Sequence, residues 1–193
     1  MPLILASTSV YRQKLLARLG RPFEIFNPDV DESQHKPLIT NPWKLAEHLA
    51  LVKAQAVAKL VADKPVSLII GSDQVIIFQD KILDKPLTQE RAIEQLKTMA
   101  SKEHILYTAV ALVSGSRQEV FGVSAKMMMR PLTDAEIIDY VQQDQPLDCA
   151  GSYKLESGGI RLFSKIETTD FSTIEGLPLL ELESRIRAWT QKN

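Results

Sequence analysis

SLIIGSDQVIIF, residues 67–78, carries the reading of the fold. Ile69, Ile70, Val75, Ile76, Ile77 and Phe78 are the β-branched and aromatic residues of a strand in a sheet interior. Gly71, Ser72, Asp73 and Gln74 interrupt that run with a carboxylate and an amide. An unpaired carboxylate in such a place is costly, so Asp73 needs a partner from elsewhere in the chain.

Outward from this strand, helical and extended patterns alternate. LILA (3–6) reads as a strand, and STSVYRQKLLARLG (7–20) as a hydroxyl-capped helix. Its Leu15, Leu16 and Leu19 share one face, with Gly20 at the C′ position. FEIFN (23–27) reads as a strand, and the polar, Pro-punctuated segment 28–42 as a loop. Asn41 and Pro42 open a long helix as N-cap and N1, with Leu45, Leu49, Val52, Ala56 and Leu60 at helical spacing. After KPLT comes a helix near 89–100, with Ala92, Ile93, Leu96 and Met99 inward. HILYTAVALVSG (104–115) and EVFGVSAKMMMR (119–130) read as neighbouring strands. Thr133 and Glu136 form a capping box for a helix through Gln143. GGIRLF (158–163) suits a strand, and LPLLELESRIRAW (177–189) a C-terminal helix. The alternation implies an α/β or α+β chain with a mixed sheet, as one domain over residues 1–193.

Composition narrows the function. A net charge of −1 argues against nucleic acid polymers, which need an excess of Lys and Arg, but leaves room for a small anion in a local basic pocket. Cys149 is the single cysteine, so no internal disulfide forms and a reducing compartment is expected. Within LDCAGSY it reads as a small buried residue. No apolar stretch approaches the ~18 residues of a membrane span. MPLILAS lacks a basic start, so a cytoplasmic protein is expected.

Four segments carry chemistry. ASTSVYR (6–12) runs from a strand through a hydroxyl-rich turn into a helix, an arrangement suited to anions, with Arg12 adding a planar fork for phosphate. DVDES (29–33) brings three acids after a strand. Lys53 lies near the edge of its helix's apolar face, and Lys85 sits in the stiff turn DKPLT (84–88). Each segment alone also fits a plain cap, a solvated loop or a surface lysine. Together the acids can hold a divalent metal, and the cations can neutralise phosphate. Phosphoryl or nucleotidyl chemistry on a small substrate follows. A phosphomonoesterase with its nucleophile in DVDES is an alternative at this stage.

In this order the segments resemble the Maf family of nucleoside triphosphate pyrophosphatases. LILASTSVYR is similar to its opening strand and turn, DVDES to its acidic segment, IIGSDQV to its central Asp segment and DKPLT to its Gly-Lys-Pro-Leu turn. CAGSYKLESGGI and GLPL resemble its C-terminal signature. Asp84 stands where the family has Gly, and TDFSTIEGLPL departs from the usual form. The resemblance implies a two-lobed α/β fold with an elongated mixed sheet, a cleft between the lobes, and often a homodimer.

It implies Asp73, at a strand end, as the proton acceptor that activates water, with Glu32 as a metal or water ligand. Lys53 and Lys85 are the implied catalytic lysines, cradling the triphosphate with Ser7 and Arg12. Asp73 and Glu32 would face Mg²⁺ or Mn²⁺. Tyr11, Gln74 and Glu156 match the branch acting on 7-methyl-GTP rather than the dTTP/UTP branch. The methylated guanine is cationic, which suits an aromatic face and a carboxylate. A non-catalytic nucleotide-binding regulator of septum formation is the rival class.

Overall fold

The computed structural model describes residues 1–63 and 66–191. Its strands are β1 (Leu3–Ala6), β2 (Phe23–Ile25), β3 (Leu68–Phe78), β4 (Lys81–Ile82), β5 (Glu103–Ser114), β6 (Arg117–Met129) and β7 (Phe163–Thr168). The α-helices are α1 (Val10–Ala17), α2 (Pro42–Leu60), α3 (Gln89–Met99), α4 (Asp134–Asp144) and α5 (Leu179–Gln191). One mixed sheet has the order β2-β1-β3-β5-β6-β7, with β4 on β3. β1 runs parallel to β2 and β3, while β3–β4 and β6–β7 are antiparallel. The mixed α/β class expected from the sequence is the class observed. Among the described residues no helix is long and apolar enough to cross a membrane.

The chain forms two compact units: residues 1–74, 107–123 and 170 onward make the first, 75–106 and 124–169 the second. In the first, alternation along β3 sends its side chains to two faces. Leu68 and Ile70 join Leu3, Leu5, Val110 and Leu112 in a core closed by Leu15 and Leu16 of α1 and Leu182, Ile186 and Trp189 of α5. The opposite face meets α2. There Gly71 lies so close to the helix that a Cβ would strike the Ala50 carbonyl and come within 2.8 Å of the Ala54 nitrogen. Thus α1, which links β1 to β2, and α2, which links β2 to β3, cover opposite faces of the sheet. The strand order reverses between β1 and β3, a topological switch point of the kind that binds ligands beyond the carboxyl ends of strands.

In the second unit, Thr133 and Glu136 make the expected capping box at the start of α4. Ala92, Leu96 and Met99 of α3 are buried. His104, Tyr153 and Phe163 stack with ring centroids 4.9–5.8 Å apart. Burial holds the His104 imidazole down at about 4, so it is neutral there.

Several expectations change. β3 does not end at Asp73: it runs unbroken from Leu68 to Phe78, because every polar side chain of the Ser72–Gln74 step finds a partner. The buried face of α2 is Leu45, Ala46, Leu49, Ala50, Lys53, Ala54 and Val57, while Leu60 is exposed. Lys53 therefore lies within that face and not at its edge. GGIRLF is not a strand. Gly158–Leu162 form a 3₁₀ turn, since Gly159 packs against the Lys154 backbone too closely for a strand with side chains, and β7 begins at Phe163. The 28–41 loop holds two short 3₁₀ turns, Glu32–Gln34 and Lys36–Leu38. Gly20, with φ +67, closes a turn beyond the helix, and the C-cap of α1 is Arg18.

Candidate active site

β1 ends at Ala6, opposite Gly71 of β3. From Ser72 onward β3 has lost its β1 neighbour, and the chain leaving β1 turns there into Ser7, Ser9 and α1. Asp73 thus sits in the middle of its own strand yet just past the end of the adjacent one. Ser9 caps α1 by accepting from the Arg12 nitrogen, and the Ser7 hydroxyl oxygen accepts from the Ser9 nitrogen at 3.2 Å. The helix's first turn, with its partial positive charge, points into the same region.

The partner that Asp73 needs is Lys53. Its ammonium lies 2.6 Å from Asp73 Oδ1 and 2.6 Å from Glu32 Oε1. The spacing follows from Gly71 and the two alanines: one turn of helix lies almost on the strand, so a lysine on that turn reaches a carboxylate two residues along it. Asp73 and Lys53 are 6% and 9% exposed, whereas Glu32 on its 3₁₀ turn is partly open to water. Burial pushes the Asp73 carboxyl above the usual carboxylate range, against the pull of Lys53 and Arg12. Burial likewise lowers the Arg12 guanidinium, while Asp73 and Glu32 push it back up. Arg12, Glu32, Lys53 and Asp73, four of the charged residues picked out in sequence, are therefore one electrostatic group.

Arg12 is anchored by its Nε, which donates to the Gly176 carbonyl at 3.2 Å. Ser72 Oγ donates to the same carbonyl at 3.0 Å. Gly176 has φ +112, and a Cβ there would sit 3.2 Å from Arg12 Nε. Gln74 turns its amide nitrogen to Thr108 Oγ1 (2.8 Å), the Thr173 carbonyl (3.0 Å) and the Ile174 carbonyl (3.2 Å). Its Oε1 is the amide atom left to meet a ligand. Tyr11 lies one residue before Arg12 on α1 and is partly exposed.

Ser7, Tyr11, Arg12, Glu32, Lys53, Asp73 and Gln74 all belong to the first unit. Lys85 and Glu156 belong to the second, and both are exposed. Lys85 precedes buried Pro86 and exposed Leu87, the latter with φ +64. Asp31 serves as a cap, its carboxylate accepting from Ser33 and Gln34. Cys149 is half-buried, and burial pushes its thiol up to about 12, which suits a packing residue and not a nucleophile. Sequence reasoning missed Ser72, Thr108, Thr173 and Gly176. Ser72 is adjacent to Asp73 and was the nearest signal; Thr173 and Gly176 accept through backbone carbonyls, which leave no mark on side-chain pattern, and Thr108 is one hydroxyl inside an apolar strand.

Comparison with known proteins matches the sequence that builds this site to a family. A protein of Bdellovibrio bacteriovorus named 7-methyl-GTP pyrophosphatase is 48% identical over 180 residues, 93% of each chain. One of Polaromonas sp. with the same name is 45% identical over 191 residues, 97% of this chain and 84% of that one. A third, of Pseudomonas aeruginosa and named likewise, is 42% identical over 182 residues, 93% and 92% of the two chains. The family pattern described as Maf-like protein matches residues 2–189, which takes in both units and every residue of the site. The chain belongs to the Maf family.

Proposed function

We propose that the protein is a nucleoside triphosphate pyrophosphatase that hydrolyses the α–β phosphoanhydride bond of 7-methyl-GTP to 7-methyl-GMP and diphosphate. The observation that carries the reaction is Lys53 held at 2.6 Å by both Asp73 and Glu32, beside Arg12, at the carboxyl end of β1. The curated relatives' shared name supports the substrate. The reading includes a cytoplasmic enzyme working as a homodimer, as the family resemblance implies.

In this reading Asp73 takes the proton of a water molecule whose oxygen attacks the α-phosphorus. The bond to the bridging oxygen breaks and diphosphate leaves. A carboxyl lifted above its ordinary range is a better proton acceptor near neutral pH than a solvated one. Arg12 is fixed by Nε, so its terminal nitrogens are the donors that meet phosphate. Ser7 and the first turn of α1 add donors, and Lys53 and Lys85 supply the remaining positive charge. Tyr11 offers a ring face to the cationic base, Glu156 a carboxylate, and Gln74 its Oε1.

No cluster of three or more His, Cys, Asp or Glu side chains suited to a metal occurs among the described residues. Asp73 and Glu32 nevertheless bring two carboxylates together around the Lys53 ammonium, and Mg²⁺ is commonly held by one or two carboxylates with substrate oxygens and water completing the shell. The residues fit such an ion. Asp73 and Glu32 would hold Mg²⁺ or Mn²⁺, and such an ion would offset the charge of the leaving diphosphate.

The test is a panel of 7-methyl-GTP, GTP, dTTP and UTP with Mg²⁺, with products identified. Diphosphate is expected, and 7-methyl-GTP is expected to have the highest kcat/KM. Orthophosphate would point to a phosphomonoesterase, and no turnover to a binding-only regulator. A charge-assisted hydrogen bond is worth about 1.5–3 kcal/mol. Glu156→Gln should therefore lower kcat/KM for 7-methyl-GTP by about tenfold or more while sparing GTP. An equal fall for all four triphosphates would remove Glu156 as a reader of the base.

A further inference from the structure

We propose that Thr108 is a positioning residue for the phosphate site: with the Gln74 amide nitrogen it locks the turn Phe171–Glu175, so that the Gly176 carbonyl fixes Arg12. This rests on the pyrophosphatase reading of the site.

The hydrogen-bond count makes the argument. Thr108 Oγ1 has one hydrogen, which it donates to the Thr173 carbonyl at 2.7 Å. Toward Gln74 it must therefore accept, and it does so from Nε2 at 2.8 Å. The second amide hydrogen of Gln74 faces the carbonyls of Thr173 and Ile174. Carbonyls only accept, so the amide cannot be reversed. Thr173 Oγ1 ties the turn to the Val123 carbonyl at 3.2 Å. At the turn's start, Asp170 accepts from the Ser172 nitrogen at 3.1 Å and from the Leu180 nitrogen at 2.6 Å. The turn is thus bolted to β3, β5, β6 and α5.

Its far end is Gly176, whose carbonyl accepts from Ser72 and Arg12 and so uses both lone pairs. Thr108 and Thr173 are fully buried. The Thr108 hydroxyl and the Gln74 amide bond this short turn, Ser72 bonds Gly176 just beyond it, and the long charged side chain held at that same carbonyl is Arg12. A guanidinium pinned side-on at Nε presents a fixed fork to phosphate; one left unpinned must be ordered by the ligand itself.

Thr108→Val keeps shape and removes both hydrogen bonds, while Thr108→Ser keeps them. The measurements are kcat and KM for 7-methyl-GTP and GTP, and binding of inorganic diphosphate by calorimetry, all on protein shown to be folded. A Gln74 amide hydrogen left without its acceptor, with the Thr173 carbonyl reduced to the Gln74 donor, is expected to cost about tenfold. Thr108→Val should raise KM and the diphosphate Kd by about that factor, with the ratio of kcat/KM for the two nucleotides unchanged. Thr108→Ser should restore both constants. Wild-type KM and diphosphate Kd in Thr108→Val, at whatever melting temperature, would make Thr108 merely structural and overturn the inference. So would a changed nucleotide ratio with unaltered diphosphate binding.

Should Thr108→Val not fold, Thr173→Ala cuts the tie to Val123 and touches no ligand. It should raise the same two constants by a smaller factor, and wild-type values would again overturn the inference. If the wild type releases no diphosphate from any nucleotide, the pyrophosphatase reading fails. The diphosphate Kd then still tests the positioning of Arg12, and a wild type that binds no diphosphate would end the inference as well.

Discussion

Asp73→Asn is expected to reduce kcat by about 10²–10⁴-fold, the usual range for removal of a general base. Asn keeps the size of the side chain, and its carbonyl can still accept from the Lys53 ammonium now 2.6 Å from Asp73. Glu32 remains as the charged partner of Lys53. The variant should therefore fold, with circular dichroism and melting temperature close to wild type. What it lacks, on the proposed reading, is the proton acceptor, together with one of the two carboxylates that a metal would use. Diphosphate release from 7-methyl-GTP under saturating substrate is the measurement. A folded variant with near wild-type kcat would remove Asp73 from the reaction and leave it as the structural partner of Lys53.

Lys53→Met should weaken both activity and stability. Methionine fills the space of the aliphatic stem but leaves Asp73 and Glu32 facing each other with no ammonium between them. Breaking a buried ion pair from one side costs about 3–5 kcal/mol. Glu32 is partly solvated, so the lower end of that range applies. The loss should depend on pH in a definite direction. Burial already lifts the Asp73 carboxyl above its ordinary value, and Lys53 is the main influence holding it down. Without Lys53 the carboxyl rises further. Between the ordinary carboxylate value and that raised value, the folded chain holds a proton that the unfolded chain has released. Stability then falls as pH rises through the interval and returns on acidification. Urea midpoints of the variant and the wild type across mildly acidic to neutral pH test this. A deficit that stays constant with pH, or grows on acidification, would mean that Lys53 does not neutralise Asp73.

The elements that sequence made legible are those with local chemistry. Asn41 before Pro42 and the Thr133–Glu136 pair mark helix starts because a cap is a short-range bond, and both caps are present. Apolar runs gave the long strands for the same reason. Lys53 shows where local reading fails. Its helix was phased by apolar residues alone, and the buried face includes the one residue such counting leaves out. Asp73 drew attention because a carboxylate breaks an apolar strand. Its location past the end of β1 depends on the register Ala6–Gly71, and no single strand encodes the register of its neighbour. GGIRLF misled because its apolar residues suit a strand, while the geometry is set by the contact of Gly159 with the distant Lys154 backbone. The bonds that fix Arg12 run through carbonyls of residues 173, 174 and 176, and any sequence supplies carbonyls.

Gly71, Ala50 and Ala54 have no charge, no hydroxyl and no catalytic chemistry, yet their small size sets how far Lys53 must reach. A methyl group on Gly71 would meet helix backbone, which cannot rotate aside as a side chain can. The strand and helix would have to part, and Lys53 would leave Asp73 and Glu32 together. Mutational tolerance along this seam should consequently invert the familiar order. Leu45 or Leu49 can exchange for another aliphatic residue of similar volume, whereas the step from glycine to alanine, the smallest available, is barred at position 71. A variant library aimed at new nucleotide specificity can vary Tyr11 and Glu156, the base readers of the proposed function, but it inherits this spacer as a fixed part.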